Sequence, residues 1–123
     1  MKTTLLVSVV DDDESIRESL PDLLKEFGFT ARTFSSSEEF LASEEMLQTA
    51  CLILDIAMPG MGGPNLQREL ERRQVRIPII FITAQQDADV RSRVLGNGVV
   101  QCLLKPFSDT ALLRALNAAL IGR

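Results

Sequence analysis

Cys51-Leu52-Ile53-Leu54-Asp55-Ile56-Ala57-Met58-Pro59-Gly60 sets a short apolar run ahead of one carboxylate and then breaks into a Pro-Gly loop. That places Asp55 where a buried strand gives out, and in an open parallel sheet ligands bind in the crevice outside the carboxyl ends of the strands. Three further apolar runs end in polar residues suited to the same crevice. Asp11-Asp12-Asp13 follows Leu5 to Val10, Thr83 follows Ile77 to Ile82, and Lys105 follows Val99 to Leu104. One such strand end means little. Four of them carrying carboxylates, a hydroxyl and an amine point to a site for Mg²⁺ and a phosphoryl group.

Around these runs the chain alternates short β-branched stretches with longer amphipathic ones, the pattern of a doubly wound α/β fold. The expectation is a five-stranded parallel sheet flanked by five helices, (βα)5, of flavodoxin-like architecture. After the acidic loop, Ile16, Leu20, Leu23, Leu24 and Phe27 recur at helical spacing, and Gly28 stands at the C-terminal cap position. Pro21 lies inside that helix and predicts either a bend or a later start. A short second strand, Thr30 to Phe34, suits an edge or half-buried place. Ser35 to Ser37 with Glu38 and Glu39 forms an N-cap with a capping box, opening a second helix expected to run to about Gln48.

Gly62-Gly63-Pro64 opens a third helix with Leu66 and Leu70 facing inward. Strand four is expected over Ile77 to Thr83, with Pro78 tolerated at its start. The helix from about Gln86 to Leu95 has only Val90 and Val94 at matching spacing, a thin apolar face. Ser108-Asp109 caps a last helix whose inner face is expected to be Leu112, Leu113, Leu116 and Leu120.

The 123 residues, 46% of them apolar, suffice for one domain over residues 1–123, with no linker or repeat. A net charge of −4 without a basic arm argues against direct nucleic-acid contact. No run approaches membrane-spanning length, so a soluble cytoplasmic protein is expected. Cys51 and Cys102 lie in apolar runs without metal-ligand spacing and are expected as buried thiols. The chain has no histidine, which excludes His-based acid/base catalysis and a role as the histidine-bearing partner of a phosphorelay.

Mg²⁺ wants oxygen ligands and keeps several waters, so one or two carboxylates plus phosphate oxygens suffice. Asp12 and Asp55, at the ends of adjacent strands, would supply them, with Asp11 holding a metal-bound water. Crowded carboxylates need a metal or cation to offset their repulsion, and Lys105 can be that cation. Phosphoryl transfer asks a protein mainly for positioning and charge neutralisation.

These residues give the chain a specific resemblance. Val9-Val10-Asp11-Asp12-Asp13, Leu54 to Gly63, Ile82-Thr83-Ala84 and Lys105-Pro106-Phe107 are together similar to the response regulator receiver domain of bacterial two-component signalling, over essentially the whole length. Phe107-Ser108-Asp109 makes the likeness greatest to FixJ-type receivers. The resemblance implies that Asp55 accepts a phosphoryl group from a histidine kinase. It implies a metal site of Asp11, Asp12, Asp55 and the main-chain carbonyl of Ala57, Thr83 and Lys105 contacting the phosphate, and a cis bond before Pro106. It also implies that a face made of the helix after Thr83, the strand carrying Cys102 and the last helix switches, controlling an output domain, a downstream partner or phosphorylation-dependent homodimerisation. The chain is then a stand-alone receiver or the N-terminal fragment of a longer regulator, and not an enzyme beyond assisting its own Mg²⁺-dependent phosphorylation and dephosphorylation.

Two departures bear on switching. Receivers commonly carry an aromatic three residues before the lysine, where this chain has Cys102, and Gly96-Asn97-Gly98 differs from the usual Ala-Gly-Ala. Ala57 and Gln85 provide no strong base for water attack, which favours a long-lived phosphoaspartate. Other classes fit less well. A haloacid dehalogenase-type hydrolase needs a second carboxylate at the position of Ala57. A flavodoxin-like carrier needs a phosphate loop where Asp11 to Glu14 would repel an anion. A phosphate-independent pseudo-receiver is the alternative that Cys102 keeps open.

Overall fold

The computed structural model describes residues 4–56, 58, 60–83 and 99–121, with the side chains of 99–101 and 121 outside the description. The expected helix from Gln86 to Leu95, Val90, the Gly96-Asn97-Gly98 stretch, Gln85 and Ala57 all lie outside the described residues. The elements are β1 (Leu6–Val10), α1 (Glu14–Glu26), β2 (Thr30–Phe34), α2 (Ser37–Leu41), a 3₁₀ turn (Glu44–Gln48), β3 (Thr49–Asp55), α3 (Gly63–Arg72), β4 (Ile79–Thr83), β5 (Val99–Leu104) and α4 (Asp109–Ile121).

All five strands pair in parallel in the order β2-β1-β3-β4-β5. The expected doubly wound sheet is therefore present. The chain leaves β1 in one direction to reach β2 and crosses back to set β3 on the other side, so the order reverses between β1 and β3. In open parallel sheets such a reversal point is where ligands bind, outside the carboxyl ends of the two strands.

Every residue of β3 is buried, because the strand is central and covered on both faces. Successive side chains alternate between two cores. Cys51 and Ile53, with Val7, Val9, Ile80 and Ile82, meet Leu20 and Leu24 of α1 and Leu112 and Leu116 of α4. Leu52 and Leu54, with Val10, Phe34 and Phe81, meet Phe40, Met46, Leu66 and Leu70 on the opposite face. Cys51 and Cys102 belong to opposite faces, on strands separated by β4. Neither is in a disulfide. Apart from Asp55 and Thr83 at the strand ends, Ser8 and Thr49 are buried polar residues of the central strands. Thr49 Oγ1 donates to the Glu45 carbonyl at 2.7 Å, so its 2.7 Å contact with Ser8 Oγ is one in which the serine donates. Both buried hydroxyls are thereby satisfied.

Helix ends follow the sequence closely. Asp13 caps α1 by accepting from the Ser15 N–H, and the helix runs through Pro21 from Glu14 without a later start. Gly28 adopts φ +94 beyond its C-terminus, with Gly28 N–H on Lys25 O and Phe29 N–H on Leu24 O, the paired bonds of a Schellman cap. Ser108 Oγ accepts from the Ala111 N–H at the start of α4.

Three boundaries and one helix face are corrected. The second helix does not continue to Gln48: α2 ends at Leu41, Ser43 turns its hydroxyl onto the Phe40 carbonyl at 2.6 Å, and a separate 3₁₀ turn follows. A serine that bonds nearby backbone competes with helix continuation. β4 begins at Ile79 rather than Ile77, since Pro78 has no N–H to give the ladder, although its carbonyl accepts from Leu52 N at 2.9 Å. β1 begins at Leu6, leaving Leu5 exposed. On α4 the fully covered residues are Leu112, Ala115, Leu116 and Ala119, whereas Leu113 and Leu120 are half-buried.

Candidate functional site

The carboxyl ends of β1, β3, β4 and β5 bring Asp11, Asp12, Asp55, Thr83 and Lys105 to one edge of the sheet. Asp55 is the last residue of β3 and is 5% exposed, held in the ladder opposite Ile82. Thr83 ends β4, is 4% exposed, and its carbonyl accepts from the Lys105 N–H at 2.8 Å. The Lys105–Pro106 peptide is cis, as the resemblance implied. Asp11 is fully buried beyond β1, and Asp12 beside it is exposed.

Asp11 is held by hydrogen bonds at its N–H, its carbonyl and its Oδ1. Its N–H donates to the Phe34 carbonyl at 3.1 Å and its carbonyl accepts from Arg17 Nη1 at 2.8 Å. Its Oδ1 accepts from the Asp13 N–H at 2.8 Å, which wraps the backbone around Asp12 in an Asx-turn. Lys105 Nζ lies 2.9 Å from Asp11 Oδ2 and 3.5 Å from Asp55 Oδ2. Burial alone would push the Lys105 ammonium down. The close approach of Asp11 and the charges of Asp55 and Asp11 outweigh it and hold its pKa above the ordinary lysine value. The 2.9 Å contact is an ion pair within hydrogen-bonding distance but outside hydrogen-bonding angles, so Asp11 Oδ2 is buried without a hydrogen bond.

Asp11, Asp12 and Asp55 each offer a carboxylate oxygen, all within 4.8 Å of one another. Three hard oxygen donors suit a small divalent cation such as Mg²⁺, and Asp11 carries in addition a buried Oδ2 without a hydrogen bond. The fourth ligand expected from the resemblance, the Ala57 carbonyl, lies outside the described residues.

The loop after Asp55 is tied to the rest of the edge. Ile56 N–H donates to the Ile82 carbonyl at 3.0 Å and Gly63 N–H to the Ile56 carbonyl at 3.2 Å. The buried hydroxyl of Ser37, at the start of α2, donates to the Met61 carbonyl at 2.8 Å. Sequence reasoning missed Ser37 and Arg17. It placed Ser37 in a capping run, where Ser36 is the residue that accepts from the Glu39 N–H. No spacing rule marks a side chain whose partner is a distant main-chain carbonyl.

A 2-1-3-4-5 parallel sheet with an acidic cluster at its switch point and a lysine from the fifth strand end is the arrangement of a signalling receiver. The family model described as the response regulator receiver domain matches residues 7–117. The chain belongs to that family. It is 43% identical over 117 residues to nodulation protein W of Bradyrhizobium diazoefficiens, covering 95% of this chain and 52% of that protein. Among solved structures, response regulator StyR is 42% identical with a TM-score of 0.88, covering 97% of this chain and 60% of that one. FixJ-N is 33% identical with a TM-score of 0.89, covering 99% of this chain and 98% of that one. The chain is thus a FixJ-like receiver, and it spans about half the length of the curated relatives it matches. Among the described residues no helix is long and apolar enough to cross a membrane.

Proposed function

We propose that the chain is the phosphoacceptor receiver of a bacterial two-component system, with Asp55 as the residue phosphorylated by a histidine kinase. The observation that carries this reading is the convergence of Asp11, Asp12 and Lys105 on Asp55 at the reversal point of the sheet. A carboxylate oxygen of Asp55 attacks the phosphorus of a phosphohistidine, forming the O–P bond as the N–P bond breaks. The imidazole departs with its bonding pair and takes up a proton. Asp11, Asp12, Asp55 and the Ala57 carbonyl would hold Mg²⁺, which when bound supplies positive charge to the phosphoryl oxygens and offsets the crowded carboxylates.

Lys105 already stands between Asp11 and Asp55 and needs little rearrangement to pair with a phosphoryl oxygen. Thr83 contributes its hydroxyl. A dianion that Thr83 and Lys105 contact better in one arrangement than in another shifts a pre-existing equilibrium by that difference. The segment after Thr83, β5 with Cys102, and α4 form the responding face, which controls an output domain, a downstream protein or homodimerisation in the cytoplasm. This makes the chain a regulated signalling domain that assists its own phosphorylation and dephosphorylation. One folded unit over residues 1–123, alone or at the head of a longer regulator, is part of the same proposal.

The phosphate-independent alternative is disfavoured because every charged group that phosphate chemistry requires is assembled at one edge. Borohydride reduction of the phosphorylated protein, followed by peptide sequencing by mass spectrometry, tests the assignment. Conversion of residue 55 to homoserine is the expected result, and homoserine at any other aspartate would overturn it.

A further inference from the structure

The exposed Asp12 carboxylate has to be presented toward Asp55 by backbone alone, since its own side chain is not buried. Its backbone is set by Asp11. The peptide that joins the two residues is planar, so fixing the Asp11 carbonyl fixes the nitrogen and Cα of Asp12 at the other end of the same plane. That carbonyl is held by Arg17 Nη1 at 2.8 Å, from a half-buried side chain one turn into α1. Arg17 is in turn anchored by α1, whose first turn starts from Asp13: the Arg17 N–H donates to the Asp13 carbonyl at 3.2 Å. A closed loop of bonds therefore runs from Asp11 through Asp13 and Arg17 back to Asp11, with Asp12 at its apex.

We infer that Arg17 is a positioning residue for the metal site, latching the Asp11–Asp12 peptide so that Asp12 is preorganised to ligate Mg²⁺. The inference rests on the metal-dependent reading above. It runs against what the charge of Arg17 would do. A guanidinium bonded to the main chain of Asp11 adds positive charge beside the acidic cluster and competes electrostatically with a divalent cation, so its removal by itself should strengthen Mg²⁺ binding. Loss of an outer partner that orients a ligand weakens metal binding instead. The two roles have opposite signs.

The test is Mg²⁺ binding to the unphosphorylated full chain by isothermal titration calorimetry, for wild type, Arg17→Ala and Arg17→Lys, with amide shifts of Asp12 and Asp13 followed by NMR. Latching predicts that Arg17→Ala weakens the Mg²⁺ Kd by about tenfold, the low end for lost outer-shell partners, and moves the Asp12 amide before any metal is added. Arg17→Lys keeps the charge but shortens the arm and replaces the planar fork, so its weakening reports the hydrogen bond alone. It decides the question by the same criterion if Arg17→Ala does not fold. Unchanged or tighter Mg²⁺ binding in the folded variants would overturn the latch while leaving the receiver reading intact. Absence of Mg²⁺ binding in the wild type would overturn both.

Discussion

Lys105 Nζ sits 2.9 Å from the buried Oδ2 of Asp11 and 3.5 Å from Oδ2 of Asp55, so one ammonium serves the ends of two neighbouring strands. Replacing it by the similarly sized Lys105→Met leaves both carboxylates without that cation. Breaking a buried pair by removing one partner costs about 3–5 kcal/mol, and the partial exposure of the lysine puts the expected loss near the lower figure. The pKa of Lys105 is raised above 10.5, so its contribution is complete below that pH and is lost only as pH rises through the higher folded value. Urea denaturation of wild type and Lys105→Met should give the same stability difference from about pH 6 to about pH 9. A difference that fades across this window would contradict the ion-pair account.

Glu69 on α3 accepts from Arg72 Nε at 3.0 Å and from Arg73 Nε at 2.6 Å. The hydrogen bond from Arg72, followed by that from Arg73, lowers its carboxyl from 4.5 to about 2. A depressed folded value means stability that is present above 4.5 and lost as pH falls toward 2. The Glu69→Gln variant should therefore differ most from wild type above about pH 5, with the gap in urea midpoint closing on acidification. A carboxyl carbon of Glu69 that titrates by NMR near the ordinary glutamate value would sink this prediction.

Gln74 caps α3 with φ +61, its N–H on Glu71 O at 3.0 Å and the Val75 N–H on Leu70 O at 2.9 Å. This is the same cap that Gly28 gives α1, but with a side chain in the left-handed region, which costs roughly 1–2 kcal/mol. Gln74→Gly should stabilise the protein by about 1 kcal/mol, raising Tm by about 4 °C. A lowered Tm would show that glutamine makes a compensating contact.

Gly63 opens α3 where there is no room for a side chain. A Cβ there would lie 2.6 Å from the Phe81 ring edge, 3.0 Å from Ile56 Cα and 3.1 Å from the Asp55 carbonyl oxygen. Two of those neighbours are backbone and cannot give way cheaply. Gly63→Ala should cost about 1–3 kcal/mol as overpacking and displace the backbone that carries Asp55. Wild-type stability in this variant would mean that the loop is looser than its contacts imply.

The sequence made the site legible for a physical reason. The strands that carry the site are near-continuous apolar runs, so the polar residue where each run gives out marks the carboxyl edge, and Asp11, Asp55, Thr83 and Lys105 are those residues. Capping chemistry marked two helix starts, because Ser36, within the Ser35 to Ser37 run, and Ser108 each accept from a backbone N–H three residues ahead. Interactions across the fold were beyond reach. Nothing local shows that Ser37 bonds the carbonyl of Met61, 24 residues on, or that Arg17 reaches back to Asp11. The division of α2 from its 3₁₀ turn failed for a related reason, since Ser43 can extend a helix or turn on the Phe40 carbonyl, and packing decides.

The central claim is that Asp55 accepts a phosphoryl group with help from a divalent cation. The direct measurement is intact mass after incubation with Mg²⁺ and a small-molecule phosphodonor, beside an Asp55→Asn variant and a chelated control. The account predicts a gain of one phosphoryl group in the wild type with Mg²⁺, and no gain in either control. A folded wild type that gains nothing from an active donor, or an Asp55→Asn variant that gains as much, would contradict it.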